Sequence, residues 1–383
     1  MKCCPSLTKR GVCWSTPPDM NLRPYQEKAV AFLQDKARAF VVAPAGSGKT
    51  IIAAAAAAQR FPFGRIIWLA NTREQVQQAE AAAAAFGIEI SAHCVAAQVD
   101  CTDADLVIVD EAHHMPATTW TATVARAKGV VWGFSATPWA GDLERDQALK
   151  TFFQNFHVVP RDEVMAGGSI TEGRVVIHDI DRAGEFDSWI DEQTAIETER
   201  RCRRFPFMDP AEHERRARWQ ATAEAVRLNE RRNGRISALL DSEPGSVLVL
   251  VSTVEHGEEL AKGVWTPSTV VHSKLGKKKR ADAIAAFRDG SLRVMIATSL
   301  ADEGLDVPRA SVLILAAGGR SAAKLEQRAG RVMRPHEGKE FGVVHDFADR
   351  GAGLAHSQYW ARFRTYKKLG YSVEFSHESC AAC

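Results

Sequence analysis

The sequence predicts two parallel α/β lobes joined by a basic helical connector, and three observations predict it. Apolar strand-like runs alternate with helical stretches from Phe40 onward, the alternation breaks near Thr151, and it returns at Val247. The 383 residues exceed one ordinary core and suit two domains of ~150 residues each.

The first-lobe strands are expected at Ala39–Val42, Arg65–Leu69, Leu106–Val109 and Val130–Phe134. Each is apolar throughout, as a strand covered on both faces must be. The stretches between them, such as Thr72–Phe86, are long enough for right-handed crossover helices. Beyond Thr151 come several glycines and then a helical stretch with eleven arginines between Arg200 and Arg235 against five acids. Strands resume at Val247–Val251, Thr269–Val271, Arg293–Ala297, Val312–Leu315 and Phe341–Val344. This gives an appendage at 1–20, a first lobe at 21–160, a basic helical connector at 161–245, a second lobe at 246–350 and a helical tail at 351–383.

Composition excludes several classes. A hydrophobic share of 45% and a charged share of 25% are globular values. The net charge of +2 makes any polyanion binding a matter of local basic surface. No apolar run reaches the ~20 residues of a membrane span, and no secretory pattern opens the chain, so a cytoplasmic address is expected. The cysteines at 3, 4, 13, 94, 101, 202, 380 and 383 are scattered and read as free thiols. Cys380 and Cys383 make one CxxC, but a zinc site needs a second pair, which Cys3, Cys4 or Cys13 supply only if the termini meet.

The strongest motif is Ala43-Pro-Ala45-Gly46-Ser47-Gly48-Lys49-Thr50, placed after a strand and opening an Ala-rich helix. Small residues let backbone N–H groups turn toward a phosphate chain at a helix N-terminus. Lys49 is expected to reach the β- and γ-phosphates, and the Thr50 hydroxyl to ligate Mg²⁺. The first glycine of the general GxxxxGK[ST] pattern is Ala43 here. Next, the Leu106–Val109 run ends in Asp110 and Glu111, two carboxylates at the carboxyl edge of a sheet, where ligands of open α/β sheets sit. Asp110 is expected to hold Mg²⁺, and Glu111 to orient or deprotonate the attacking water. His113 and His114 lack the i, i+4 spacing of a helical zinc site. Arg328, Arg331 and Arg334, three apart, suit a common anion on one helix face.

With these residues in view, the chain resembles a superfamily 2 DEAD/DEAH-box helicase of the ResIII-like branch, close to small bacterial or phage DNA helicases, over nearly all of residues 22–350. Leu22-Arg23-Pro-Tyr25-Gln26 resembles a Q-type adenine motif, Asp110–His113 the DEAH box, and Ser135-Ala-Thr137 the motif that follows it. Thr298–Pro308 and Gln327–Arg334 resemble motifs V and VI. The resemblance implies two RecA-like lobes, ATP and Mg²⁺ as cofactors, and a monomeric motor in a bacterial cell or phage-infected host.

Residue roles follow from the same resemblance. Gln26, with Tyr25 or Arg23, recognises adenine; His113, Ser135 and Thr137 couple hydrolysis to lobe movement. Gly304 and Asp306 touch the nucleotide, and Gln327, Arg331 and Arg334 complete the site. Asn71, Thr72 and Arg73, with Ser252, His272 and Thr298, hold phosphates of the tracked strand. DNA, single-stranded or branched, is the expected partner, with 3′→5′ movement; an RNA helicase is the alternative, and a module that binds without hydrolysis the rival from another class. Val95–Gln98 is a poor version of the motif that grips the strand there, and no PD-ExK-type nuclease site accompanies the restriction-enzyme likeness. Lys277–Arg280 and the Arg200–Arg235 stretch are basic candidates for strand contact, each equally readable as a solvated face, and Trp139, Trp189, Trp219 and Trp360 are read first as core and second as stacking residues.

Overall fold

The computed structural model describes residues 21–95, 99–115, 122–139, 143–180, 185–298, 305, 307–350 and 353–376. The expectations placed on 1–20, on Gln98, on Gly304 and Asp306, and on the terminal CxxC lie outside these residues. Two compact units emerge: residues 21–42 with 48–159, and residues 43–47 with 160–376.

The first unit holds six strands: β1 (Arg38–Val42), β2 (Ile66–Ala70), β3 (Ser91–Cys94), β4 (Leu106–Val109), β5 (Val130–Ser135) and β6 (Asn155–Val158). They lie in the order β3-β2-β4-β5-β1-β6, and every pairing is parallel. β2 and β4 are buried along their whole length. Trp68 and Trp132, in register through Ile108, are both buried on the same face of the sheet. Helices Lys49–Arg60 and Arg73–Ala85 are Ala-rich, which favours the helix and allows close approach to the sheet.

The register decides where the chemistry falls. Val42 pairs with Ser135, and Val109 with Gly133. The carboxyl ends of β1, β5 and β4 therefore stand side by side, and the three loops that leave them share one edge of the sheet.

The second unit holds β7 (Glu172–Ile180), β8 (Ser246–Leu250), β9 (Ser268–Val271), β10 (Val294–Ala297), β11 (Ala310–Leu315), β12 (Phe341–Asp349) and β13 (Ser372–Ser376). Their order is β13-β7-β12-β11-β8-β10-β9, again with parallel pairings. Alternate residues serve opposite layers: Leu248, Leu250, Met295 and Leu313 enter one core cluster, and Val247, Val249, Val294 and Ile314 the other.

Two expected boundaries need correction. Residues 161–245 are not a purely helical connector, because β7 runs beside β12 from Glu172 to Ile180. The tail after 350 is not purely helical, because β13 closes the sheet on β7. The remainder of the expected connector is helical: Glu185–Arg204 and Pro210–Arg227 form a hairpin, followed by Glu230–Ser242. Among the described residues, no helix is long and apolar enough to cross a membrane.

Candidate active site

The phosphate loop leaves β1 and enters helix Lys49–Arg60. Gly46 (φ 86°) and Gly48 (φ 79°) sit in left-handed conformations that glycine adopts without a Cβ clash. A Cβ on Gly48 would stand 2.7 Å from Gln26 Nε2, so the side chain expected to read adenine also packs against the loop. Gln26 Oε1 accepts the Arg23 N–H at 3.0 Å. Tyr25 is only 2% exposed and belongs to the core. Arg23 is the surface residue of that trio. Lys49 and Thr50 open the helix, and its first-turn N–H groups meet no side-chain cap, the arrangement that receives a phosphate chain.

The two acids leave β4. Asp110 N–H is held by Leu69 O at 2.9 Å, and Asp110 Oδ1 accepts the Glu111 N–H at 2.9 Å. Glu111 has φ 47° and ψ 47°, and it is the one non-glycine with positive φ among the described residues. A bulky residue held there stores strain of about 1–3 kcal/mol, and such strain gathers at working sites.

Buried charge tunes the pair in opposite directions. Burial, aided by the Glu111 charge, pushes Asp110 up to about 6 against the pull of Lys49. Burial also opposes the Glu111 charge, yet Lys49 and the His113 hydrogen bond together hold that carboxyl below its ordinary value. The two neighbouring acids thus shift in opposite directions, the pattern that separates roles in paired carboxylates.

His113 Nδ1 lies 2.9 Å from Ser135 Oγ and 3.3 Å from Glu111 Oε2. Ser135 is fully buried, and its Oγ also accepts the Thr137 N–H at 3.1 Å. Protonation on Nδ1 lets His113 donate to both neighbours. The structure thus joins Glu111, His113, Ser135 and Thr137 in one hydrogen-bonded chain. The Thr137 hydroxyl is buried with no partner among the described residues. His114 packs at a tilt against His113, 4.1 Å between ring centroids, and burial pushes it down to about 4.

Asn71, Thr72 and Arg73 follow β2. Thr72 caps helix Arg73–Ala85, its Oγ1 accepting the Gln75 N–H at 3.3 Å, while Gln75 Oε1 accepts the Asn71 N–H at 3.0 Å. The helix N-terminus therefore stands ready at the sheet edge with Arg73 exposed.

In the second unit, Leu250 pairs with Ala297 and Ala297 with Val271. Ser252, Thr298 and His272 consequently leave three adjacent strands at one carboxyl edge, Ser252 exposed and the other two half-buried. Gln327 and Arg331 ride on helix Ala322–Val332. Arg331 is 6% exposed and donates from Nη1 to Leu305 O at 2.6 Å. The helix caps at Met333, so Arg334 lies past its end and does not share a helical face with Arg328 and Arg331 as expected. Burial depresses the Arg334 guanidinium from its usual value.

Two other arginines are structural. Arg232 is 1% exposed, donates to the carbonyls of Leu315 and Ala316, and stands 3.2 Å from Asp349. Arg362 grips Asp346 with two 2.8 Å bonds, while Tyr366 donates to the same carboxylate at 2.9 Å. The last two partners sit far apart in sequence and carried no motif, so only the fold reveals them.

The fold and the first-unit cluster define a P-loop protein with two parallel α/β lobes. Comparison with known proteins agrees. Residues 19–100 match the type III restriction enzyme, res subunit family, and residues 232–336 match the helicase conserved C-terminal domain. The chain is similar to superfamily 2 helicases of the ResIII-like type. It is 29% identical over 262 residues to "Putative helicase 22" of a Sulfolobus islandicus filamentous virus, covering 64% of this chain and 42% of that protein. Against "Putative DNA 3'-5' helicase Rad25" of Halobacterium salinarum it is 26% identical over 343 residues, covering 82% and 52%. Its fold resembles that of S. cerevisiae Dbp5 bound to RNA and ADP BeF3, with a TM-score of 0.59, 16% identity and coverage of 92% and 90%. The chain thus spans about half the length of the curated relatives it matches.

Proposed function

We propose that the chain is an ATP-hydrolysing motor that moves 3′→5′ along DNA. The observation that carries this reading is the first-lobe cluster: Lys49 acts on two half-buried acids, and the lower-pKa acid bonds through His113 to Ser135. DNA and direction rest on the relatives' names, both archaeal Rad25-type proteins being called DNA 3'-5' helicases.

Lys49 and the loop N–H groups of Ala45–Gly48 bind the β- and γ-phosphates, with Arg23 and Gln26 on the adenine side. Thr50 and Asp110 offer hard oxygen donors, and the raised Asp110 carboxyl marks a place where a cation would offset unfavourable charge. Mg²⁺ held there supplies charge stabilisation to the transferring phosphoryl group. Glu111, kept ionised, orients the attacking water and receives its proton. Gln327, Arg331 and Arg334 serve the same triphosphate from the second lobe, with Gly304 and Asp306.

Strand phosphates are taken by Asn71, Thr72 and Arg73 in one lobe and Ser252, His272 and Thr298 in the other. Such contacts are blind to sequence, as a motor requires. Lys277–Arg280 reinforce the second grip. They occupy the first turn of helix Lys277–Asp289, which carries no acid there, although the helix dipole disfavours cations at that end by about 0.3–1 kcal/mol each. A polyanion at the end of neighbouring β9 relieves that cost.

Hydrolysis measured with single-stranded, duplex, forked and branched DNA and with matched RNA tests the proposal. Stimulation by single-stranded or branched DNA above that by RNA is expected. Equal or greater stimulation by RNA moves the substrate to RNA, and no stimulation by either defeats the motor reading.

A further inference from the structure

We propose that the turn Phe205–Asp209, at the tip of the helical hairpin, is a base-stacking wedge on which Phe207 caps the terminal base pair where the tracked duplex opens. The proposal rests on the motor reading above and adds a site to it.

Phe207 is 101% exposed and Phe205 is 44% exposed. Full exposure of a phenyl ring is what folding opposes, and this ring does not hang on a loose loop. Pro206 and Pro210 bracket it, each fixing its own φ. Phe205 O accepts from Met208 N–H at 3.2 Å and lies 3.0 Å from Nε2 of His213, which is itself 1% exposed. Asp209 caps the second helix through Ala211 N–H at 3.0 Å. The buried histidine and the cap hold the turn from below while its apolar face stays bare.

The surrounding charge selects a polyanion. Arg200, Arg201, Arg203 and Arg216 are balanced by nearby glutamates. Arg204 and Arg215 have no ion-pair partner among the described residues, and the Arg204 guanidinium stands 5.3 Å from the Phe205 ring centroid. Behind the tip, Arg201, Arg215 and Arg216, with Glu212 as the one acid among them, line a groove with Gln220 and Trp219, which is 57% exposed. An aromatic platform beside unpaired guanidinium groups fits stacked bases and their phosphates. A second copy of this chain would set Arg204 and Arg215 against themselves, which disfavours self-association through the tip.

The test pairs Phe207→Ala with Phe207→Trp in the full chain. A DNA fork carries 2-aminopurine at its terminal base pair, so stacking is read as a fluorescence change on binding, independent of ATP. Wild-type protein is expected to change that signal, the alanine variant to lose the change, and the tryptophan variant to keep it. Fork unwinding should fall about tenfold or more in the alanine variant, with single-strand-stimulated hydrolysis and thermal melting unchanged. An alanine variant with wild-type fluorescence and unwinding overturns the wedge, as does a variant whose only change is in oligomeric state by sedimentation. A wild-type chain that binds the fork with the expected signal but shows no DNA-stimulated hydrolysis defeats the motor reading instead.

Discussion

Each lobe buries a cluster of charge near the carboxyl ends of its strands, and the two clusters are built on opposite rules. In the first lobe, two adjacent acids share Lys49 and shift in opposite directions, with Asp110 raised and Glu111 lowered. In the second, Arg362 meets Asp346 through two parallel bonds, and Arg232 meets Asp349. One cluster leaves like charges in contact on a strained backbone; the other matches each acid with a guanidinium. Burial alone therefore does not mark a working site. An uncompensated charge held in place by the fold does, because it is relieved only when something binds.

Removing the carboxylate proposed as the base is expected to have the largest effect. Glu111→Gln should lower ATP turnover by about 10²–10⁴-fold while leaving nucleotide affinity near wild type, read by steady-state hydrolysis and by binding of a fluorescent ATP analogue. Stability should change little, since Glu111 gives up its attraction to Lys49 and His113 while Asp110 is relieved of its repulsion. Turnover unchanged in this variant would strip Glu111 of its role. The matched cluster should respond in reverse. Asp346→Asn strands the buried Arg362 and should cost about 3–5 kcal/mol of unfolding free energy, measured by denaturant titration. A loss below about 1 kcal/mol would mean that the second cluster is as uncompensated as the first, and the contrast would fail.

Much of this was readable in the residues, and the limits have a physical cause. The central strands β1, β2, β4, β5, β8, β10 and β11 are buried on both faces and so announce themselves as apolar runs. The strands that escaped notice are mostly edges. β3 and β6 close the first sheet and β13 one side of the second, and their half-exposed patterns carry no such run. β7 alternates buried and exposed positions, a two-residue period that the neighbouring arginine-rich helices obscured. At the site, Lys49, Asp110, Glu111 and Ser135 were legible because their local spacing is fixed by the phosphate chain and the strand ends. The left-handed backbone of Glu111 and the Asp346–Arg362 pair were not, since the first is a conformation and the second joins a strand to a helix sixteen residues on.

The smallest expected effect probes how the first cluster reports to the rest of the chain. Ser135 is buried, its oxygen meets His113 and the Thr137 N–H, and its hydroxyl reaches Glu111 Oε2 only at a long 3.5 Å. Ser135→Ala keeps the size of the side chain but frees His113 from the strand that follows it. Hydrolysis should stay within a few-fold of wild type, whereas DNA unwinding per ATP consumed should fall by the few-fold to thirtyfold that about 1–2 kcal/mol of lost coupling implies. The ratio of base pairs opened to phosphate released reads this directly. Equal losses in both quantities would mean that Ser135 supports Glu111 itself, and that the working cluster ends at the catalytic acid without a relay beyond it.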